Sequence, residues 1–203
     1  MSKSLGNVVD PVALLDEFGT DAVRYYLAAG ISFGDDGNIS QELVKEMTNG
    51  ILVNKYSNLV SRTQAMLEQK RDLVVPSIKD RTNESKELLK SLEDLREKYV
   101  SEFKKVNLTK TTRVITEALD LVNGYIDITE PWKKDGEELD LILSDLVHSI
   151  IKVNILVSPY LVNSSREVFK GFTGKETLTF EDWDMNIEGN KIEKVENLFM
   201  RLK

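Results

Sequence analysis

The stretch SQELVKEMTNGILVNKYSNLVSRTQAMLEQKR, residues 40–71, decides the fold, because apolar residues recur in it every three or four positions. With one threonine among them, they form a single stripe on a 3.6-residue helix: Leu52, Tyr56, Leu59, Thr63, Met66 and Leu67. Ser40 is a suitable N-cap for this helix. We therefore predict a long amphipathic helix that buries this stripe against a core.

A row of polar side chains follows the edge of the same stripe. Asn58 and Arg62 are four residues apart, and Lys55 precedes Arg62 by seven, so their side chains line up on one side of the helix. From Gln41 to Arg71 there are five basic and three acidic residues. The row can reach a ligand lying across the helix, but an ordinary solvated edge has the same pattern. Periodicity alone does not choose between the two.

Composition excludes several classes of site. The 203 residues contain no cysteine and one histidine, His148, which excludes disulfides, thiolate metal sites, cysteine nucleophiles and histidine clusters. No apolar run approaches the ~20 residues that span a bilayer, so we expect a cytoplasmic protein without a membrane contact. The net charge of -7 argues against nucleic-acid binding over the whole surface. Any RNA contact is expected to be local.

The rest of the chain also has helical periodicity, which predicts an all-α fold. Two short helices at 11–18 and 21–29, capped by Asp10 and Thr20, are expected to precede the long one. Arg24 is the one charged side chain in an apolar run, suited to an ion pair or to RNA. Further helices are expected at 84–105, capped by Asn83 or Thr82, at 110–128 and at 138–157. A last helix, with Ser158 as its cap and Pro159 in its first turn, is expected to run to Lys170 before Gly171. After Phe172 the period is lost, and Trp183 is expected to be structural. We predict a bundle of about five helices, preceded by a small helical connecting segment and followed by an extended tail.

The segment Pro131-Trp132-Lys133-Lys134 presents a tryptophan beside two lysines where a helix must end. An indole offers a broad face to a nucleic-acid base, and the lysines supply positive charge. The alternative is that Trp132 fills the core after the helix stop.

Four matches in chain order carry a family resemblance, and the first of them has two parts. MSKSLGN (1–7) and FGTDAVRYYL (18–27) resemble the KMSKS loop region of class I aminoacyl-tRNA synthetases. NLVSR (58–62) is similar to the N-x-x-x-R pattern, YIDITEPW (125–132) to the tryptophan segment, and NKIEKVENLFMR (190–201) to the closing segment of the methionyl-tRNA synthetases. The chain most resembles a C-terminal fragment of that family, from the KMSKS loop through the anticodon-binding domain.

The resemblance implies a methionine-tRNA ligase as parent enzyme, using ATP and Mg²⁺. Lys3 maps onto the catalytic lysine that contacts the ATP phosphates, with Ser2 and Ser4 beside it. The nucleotide-binding fold and the first lysine of the motif are absent from this sequence. We expect the fragment alone to be inactive and to hold no cofactor.

The resemblance also implies an RNA site. Asn58 and Arg62 would hydrogen-bond base edges of a CAU anticodon, while Trp132, placed by Pro131, would stack on its first base. Lys55, Lys133 and Lys134 are candidate contacts to the RNA backbone. The implied partners are initiator and elongator methionine tRNA and the catalytic domain of the same chain, and we expect a monomer.

The resemblance implies three segments: 1–36 for the loop and stem-contact part, 37–172 for the bundle, and 173–203 for the tail. Val195, Asn197 and Met200 replace prolines common in the family, so we expect a more helical tail whose end is mobile or repacked. Alternative interpretations are the same region of a cysteinyl, leucyl or valyl synthetase, or a helical protein-interaction module without RNA binding.

Overall fold

The computed structural model describes residues 10–31, 34, 37 and 39–202, and its regular structure within these ranges is helical. The α-helices are α1 (Pro11–Phe18), α2 (Thr20–Gly30), α3 (Gln41–Met47), α4 (Asn58–Arg71), α5 (Asn83–Lys104), α6 (Leu108–Thr129), α7 (Gly136–Val157) and α8 (Val162–Thr173). Short 3-10 turns lie at Pro131–Lys133 and Phe180–Asp182. In the described ranges the one β-type pairing is an isolated antiparallel bridge between Val74 and Lys191. The predicted all-α bundle with a connecting segment and an extended tail is confirmed.

Three helix starts follow the predicted capping chemistry. The side chains of Asp10, Ser40 and Thr82 each accept a backbone N–H from the first turn of α1, α3 and α5. Thr20, which was expected to cap α2, is instead its first residue, because Gly19 occupies the cap position with φ +79°. A glycine suits this position because L side chains rarely adopt that φ.

The long helix predicted for residues 40–71 is interrupted in its middle. Thr48–Ser57 forms ten residues of π-helix between α3 and α4, and the N–H of Asn58 donates to the carbonyl of Val53, five residues earlier. The expectation of an uninterrupted 3.6-residue helix was therefore wrong. The predicted stripe is nevertheless buried: Leu52, Tyr56, Leu59, Thr63 and Leu67 lie in the core, and Met66 is half-buried.

Helix α7 forms the centre of the bundle, as its all-round hydrophobicity predicts. Its Asn154 is completely buried and connects three elements. The Asn154 amide accepts from the Tyr56 hydroxyl at 2.5 Å and donates to the carbonyl of Ser165 at 2.9 Å. These bonds tie the π-helical segment and α8 to the central helix.

The last helix starts later than predicted. The Ser158 hydroxyl donates to the carbonyl of Ile155 at 3.0 Å, so this residue closes α7 and does not cap a new helix. Helix α8 begins at Val162, and Asp21 of α2 supplies its cap from a distance by accepting the Ser164 N–H at 2.7 Å. Arg24 donates to the carbonyl of Pro159 at 2.9 Å, which makes it a structural contact between α2 and the turn before α8.

Helix α8 also runs past Gly171, where we expected it to end. A Cβ at Gly171 would lie 2.4 Å from the Val195 side chain, so the glycine allows the tail to cross α8 closely. The N–H of Glu193 donates to the Gly171 carbonyl at 2.7 Å at this crossing. The described part of the tail, 190–202, contains no helix, so the expectation of a more helical tail was wrong.

One hydrophobic core joins the connecting helices, the bundle and the tail, for it includes Leu14, Leu59 and Val195. The division into segments 1–36, 37–172 and 173–203 stays a prediction. No helix within the described ranges is both long and apolar enough to cross a membrane.

Candidate nucleic-acid interface

Trp132 is placed by the way α6 ends. Glu130 takes the left-handed conformation, with φ +46°, and Pro131 starts the 3-10 turn that carries the tryptophan. Pro131 is buried, while Trp132 is 52% exposed. The interpretation of Trp132 as a core residue is therefore wrong, and its ring is open to solvent.

Arg62 lies against this ring. Its guanidinium carbon is 5.8 Å from the centroid of the Trp132 indole, at the outer limit of a cation–π contact. The guanidinium also lies 3.7 Å from the carboxylate of Asp127 on α6. The structure thus brings together two residues that were predicted to share one site, and adds a carboxylate beside them.

Asn58 is exposed at the start of α4, one turn before Arg62. Because α-helical geometry resumes at Asn58, the four-residue spacing to Arg62 keeps both side chains on one face. Lys55 lies in the π-helical segment and pairs with Asp120 of α6 at 2.6 Å. The pairs Lys55–Asp120 and Arg62–Asp127 lie along α6 in register, so the predicted polar row is present.

The other two candidate cations are also paired. Lys133 lies 2.6 Å from Glu130, and Lys134 lies 2.5 Å from Glu138. All four basic side chains of the candidate interface therefore have a carboxylate partner. The basic excess of residues 41–71 is offset locally, so this surface is close to neutral.

The acidic partners Asp120 and Asp127 were not among the residues predicted for this site. They are seven residues apart on α6, and Lys55 and Arg62 are seven residues apart on the facing stretch, which runs from the π-helical segment into α4. Matching heptad spacings of opposite charge on two helices are the signal that could have found them.

The remaining singled-out residues do not join this site. Ser2, Lys3 and Ser4 lie outside the described residues. His148 donates from Nδ1 to the Ser144 carbonyl at 2.8 Å, and burial lowers the pKa of its imidazole. Trp183 is buried beneath the Lys152 ammonium, 4.7 Å from its ring, as expected for a structural tryptophan. The described residues contain no group of three or more His, Asp or Glu side chains placed to hold a metal ion.

Comparisons with known proteins agree with the family resemblance. A family model described as tRNA synthetases class I (M) matches residues 1–64. The methionine–tRNA ligase of Mycoplasmopsis pulmonis is 34% identical over 207 residues, which cover all of this chain and 40% of the relative. The corresponding ligase of Clostridium acetobutylicum is 37% identical over 210 residues, covering all of this chain and 32% of the relative.

A solved structure has the same fold. The methionyl-tRNA synthetase of Mycobacterium tuberculosis in complex with methionyl-adenylate superposes with a TM-score of 0.91 at 26% identity, covering 98% of this chain and 41% of that one. The chain thus spans between 32% and 41% of the length of these relatives. The matched part is the C-terminal region of the ligases.

Proposed function

The chain belongs to the methionyl-tRNA synthetase family, and we propose that its helical bundle reads the CAU anticodon of methionine tRNA. The single observation that carries the proposal is the placement of Arg62 against a half-exposed Trp132. Similarity to methionine–tRNA ligases along the whole chain favours this family over cysteinyl, leucyl or valyl synthetases.

Trp132 supplies the stacking surface. RNA loops are recognised through unstacked bases, which pack on aromatic faces and present their edges to polar side chains. The Trp132 indole is half exposed, and the residue before it, Pro131, is buried. The ring can therefore accept a nucleic-acid base while the structure around it stays folded. The first anticodon base is the one we assign to it.

Arg62 and Asn58 supply the hydrogen bonds to base edges. A guanidinium is a fixed fork of donors, whereas an amide both donates and accepts, so the two side chains together can read different edges. Arg62 already lies beside the indole, and Asn58 lies one turn away on the same face. A base stacked on Trp132 would therefore meet donors from α4.

The neutral charge balance of this surface supports selective binding. Lys55, Lys133 and Lys134 can turn to RNA phosphates only by leaving Asp120, Glu130 and Glu138. An exposed ion pair contributes only ~0–1 kcal/mol, so breaking it costs little free energy. A lysine that exchanges a carboxylate for a phosphate also gains little net attraction. RNAs without the correct bases would gain little from electrostatics alone.

The parent enzyme is proposed to join methionine to its tRNA with ATP and Mg²⁺, and to bind initiator and elongator tRNA. Lys3, with Ser2 and Ser4, is proposed to contact the ATP phosphates when the catalytic domain is present. We expect this chain alone to be a cytoplasmic, monomeric and catalytically inactive fragment.

Titration with anticodon stem-loops tests the proposal. The chain should bind a CAU stem-loop more tightly than stem-loops altered at the first base, in low salt where electrostatics are least screened. The Trp132→Ala variant should lose most of this difference in affinity between the CAU stem-loop and the altered ones. Equal affinity for all loops, or no binding at all, would contradict anticodon reading and would favour a protein-interaction module.

A further inference from the structure

Two amide side chains bind the backbone of the tail. Gln64 of α4 is buried and makes both of its bonds to Val195, donating to the carbonyl at 2.8 Å and accepting the N–H at 2.9 Å. Asn49 does the same to Leu202, donating at 3.0 Å and accepting at 2.9 Å. Each amide thus makes, to one residue of the extended tail, the two backbone hydrogen bonds that a neighbouring β-strand would make.

These two amides lie on either side of most of the π-helical segment Thr48–Ser57. Asn49 lies in its first turn, and Gln64 lies in α4 beyond its end. Between them, Arg201 of the tail donates to Asn54 at 2.6 Å and Phe199 packs on Tyr56 with ring centroids 6.3 Å apart. The tail therefore runs along the irregular stretch, contacting it at Asn49, Asn54 and Tyr56, and continues to Gln64 of α4.

The π-helical register determines where the proposed reading residues face. A π-helix is rare and holds more residues per turn than an α-helix, so it needs support from its surroundings. If the segment relaxed to α-helix, each residue of register change would turn Asn58 and Arg62 by about 100° relative to α3. Arg62 would then leave Trp132 and Asp127.

Gln64 is placed to resist this rotation. It follows Arg62 by two residues, so the two side chains point about 200° apart around the helix. One side of α4 is thus held by the tail through Gln64, while the other presents Arg62 to the indole.

We propose that Gln64 and Asn49 are positioning residues, which hold the π-helical segment in register against the tail and so keep Asn58 and Arg62 turned towards Trp132. This inference rests on the proposed anticodon reading. The tail then serves base discrimination, although it lies on the opposite side of the helix from the RNA.

The test uses two variants of the full chain, Gln64→Met and Asn49→Leu, each of which removes both bonds of one amide with little change in volume. Nuclear Overhauser contacts between the α-proton of residue i and the amide proton of residue i+5 across 48–57 report the π register. The ratio of affinities for the CAU stem-loop and the altered stem-loops reports how well the chain discriminates between anticodon bases. We expect the i to i+5 contacts to be lost and the ratio to fall about tenfold, the value of one specific base contact.

The control is Glu68→Gln, which removes an exposed ion pair of 2.8 Å between the same helix and Lys194 of the tail. It should change neither readout, since exposed pairs contribute little. Two variants are used because Gln64 is buried, so that its replacement affects folding more than that of the partly buried Asn49. Loss of the i to i+5 contacts in either variant is sufficient to support the inference.

Retention of the i to i+5 contacts in both variants overturns the inference, whatever happens to the ratio. An unchanged ratio despite lost contacts also overturns it, because the register would then not govern reading. If the unmodified chain itself does not discriminate, the proposed function fails, and the contacts still decide whether the amides hold the segment.

Discussion

The Arg62 guanidinium lies 5.8 Å from the centre of the Trp132 indole, although all of α5 and α6 separates the two residues in sequence. The contact exists because α4 and α6 pack side by side and Pro131 turns the chain at the end of α6. It places a fixed donor group beside an aromatic face that solvent can reach.

Replacing Trp132 by alanine should weaken binding of a CAU stem-loop by about 1–3 kcal/mol, because one base loses its stacking surface. Thermal unfolding should change little, since the ring is half exposed. The matched variant Trp183→Ala should do the reverse, with a stability loss of about 3–5 kcal/mol from the emptied core. A large drop in melting temperature for Trp132→Ala would show instead that this ring supports the fold.

Replacing Arg62 by lysine should keep the charge and remove the planar fork of donors. We expect the preference for one anticodon base to fall by about 1.5–3 kcal/mol, the value of hydrogen bonds to a charged group, while binding of altered loops stays nearly the same. Affinities for a panel of loops changed at single positions measure this. A uniform loss across the panel would identify Arg62 as a phosphate contact.

Replacing Asp21 by alanine should destabilise the chain by about 2–3 kcal/mol, because the buried N–H of Ser164 and its hydroxyl lose their acceptor. Asp10→Ala is the matched control at an exposed cap of α1 and should cost about 1 kcal/mol. Urea unfolding compares the two. Equal losses would mean that the distant cap of α8 contributes no more than an ordinary local one.

Stability should fall as the pH drops below about 6.5, and His148 should account for part of the fall. Burial lowers the pKa of His148, and the Arg81 and Lys152 cations lower it further, whereas the Ser144 carbonyl and Glu188 oppose them. Because the unfolded chain then binds the proton more readily, the histidine favours folding above its unfolded pKa and loses this contribution at lower pH.

The His148→Gln variant tests this pH dependence. Urea unfolding between pH 7.5 and about 5, above the range where carboxylates titrate, should show a flatter slope for the variant. Identical slopes would show that the protonation of His148 is not linked to folding.

Local chemistry determined much of the helical structure. Caps such as Asp10, Ser40 and Thr82, the break at Pro131 and the apolar stripe from Leu52 to Leu67 act through neighbouring residues, so the sequence alone predicts them. The pairing of Asn58 with Arg62 on one face is also local, because it depends only on a spacing of four residues.

Only the tertiary structure decided the features that depend on distant partners. The π-helical turns at 48–57 could not be read from periodicity, because they coincide with contacts to the tail at Asn49 and to α7 at Tyr56. The start of α8 was misplaced for the same reason, since Asp21 caps it from another helix.

The charge and exposure of the candidate site show most clearly which properties follow from the sequence and which depend on the tertiary structure. By sequence, residues 41–71 carry a basic excess, and by sequence Trp132 could have been a core residue. Packing of the π-helical segment and α4 on α6 sets Asp120 and Asp127 against Lys55 and Arg62, and leaves the indole half exposed. Net charge and exposure depend on which surfaces meet, and that is decided by the fold as a whole.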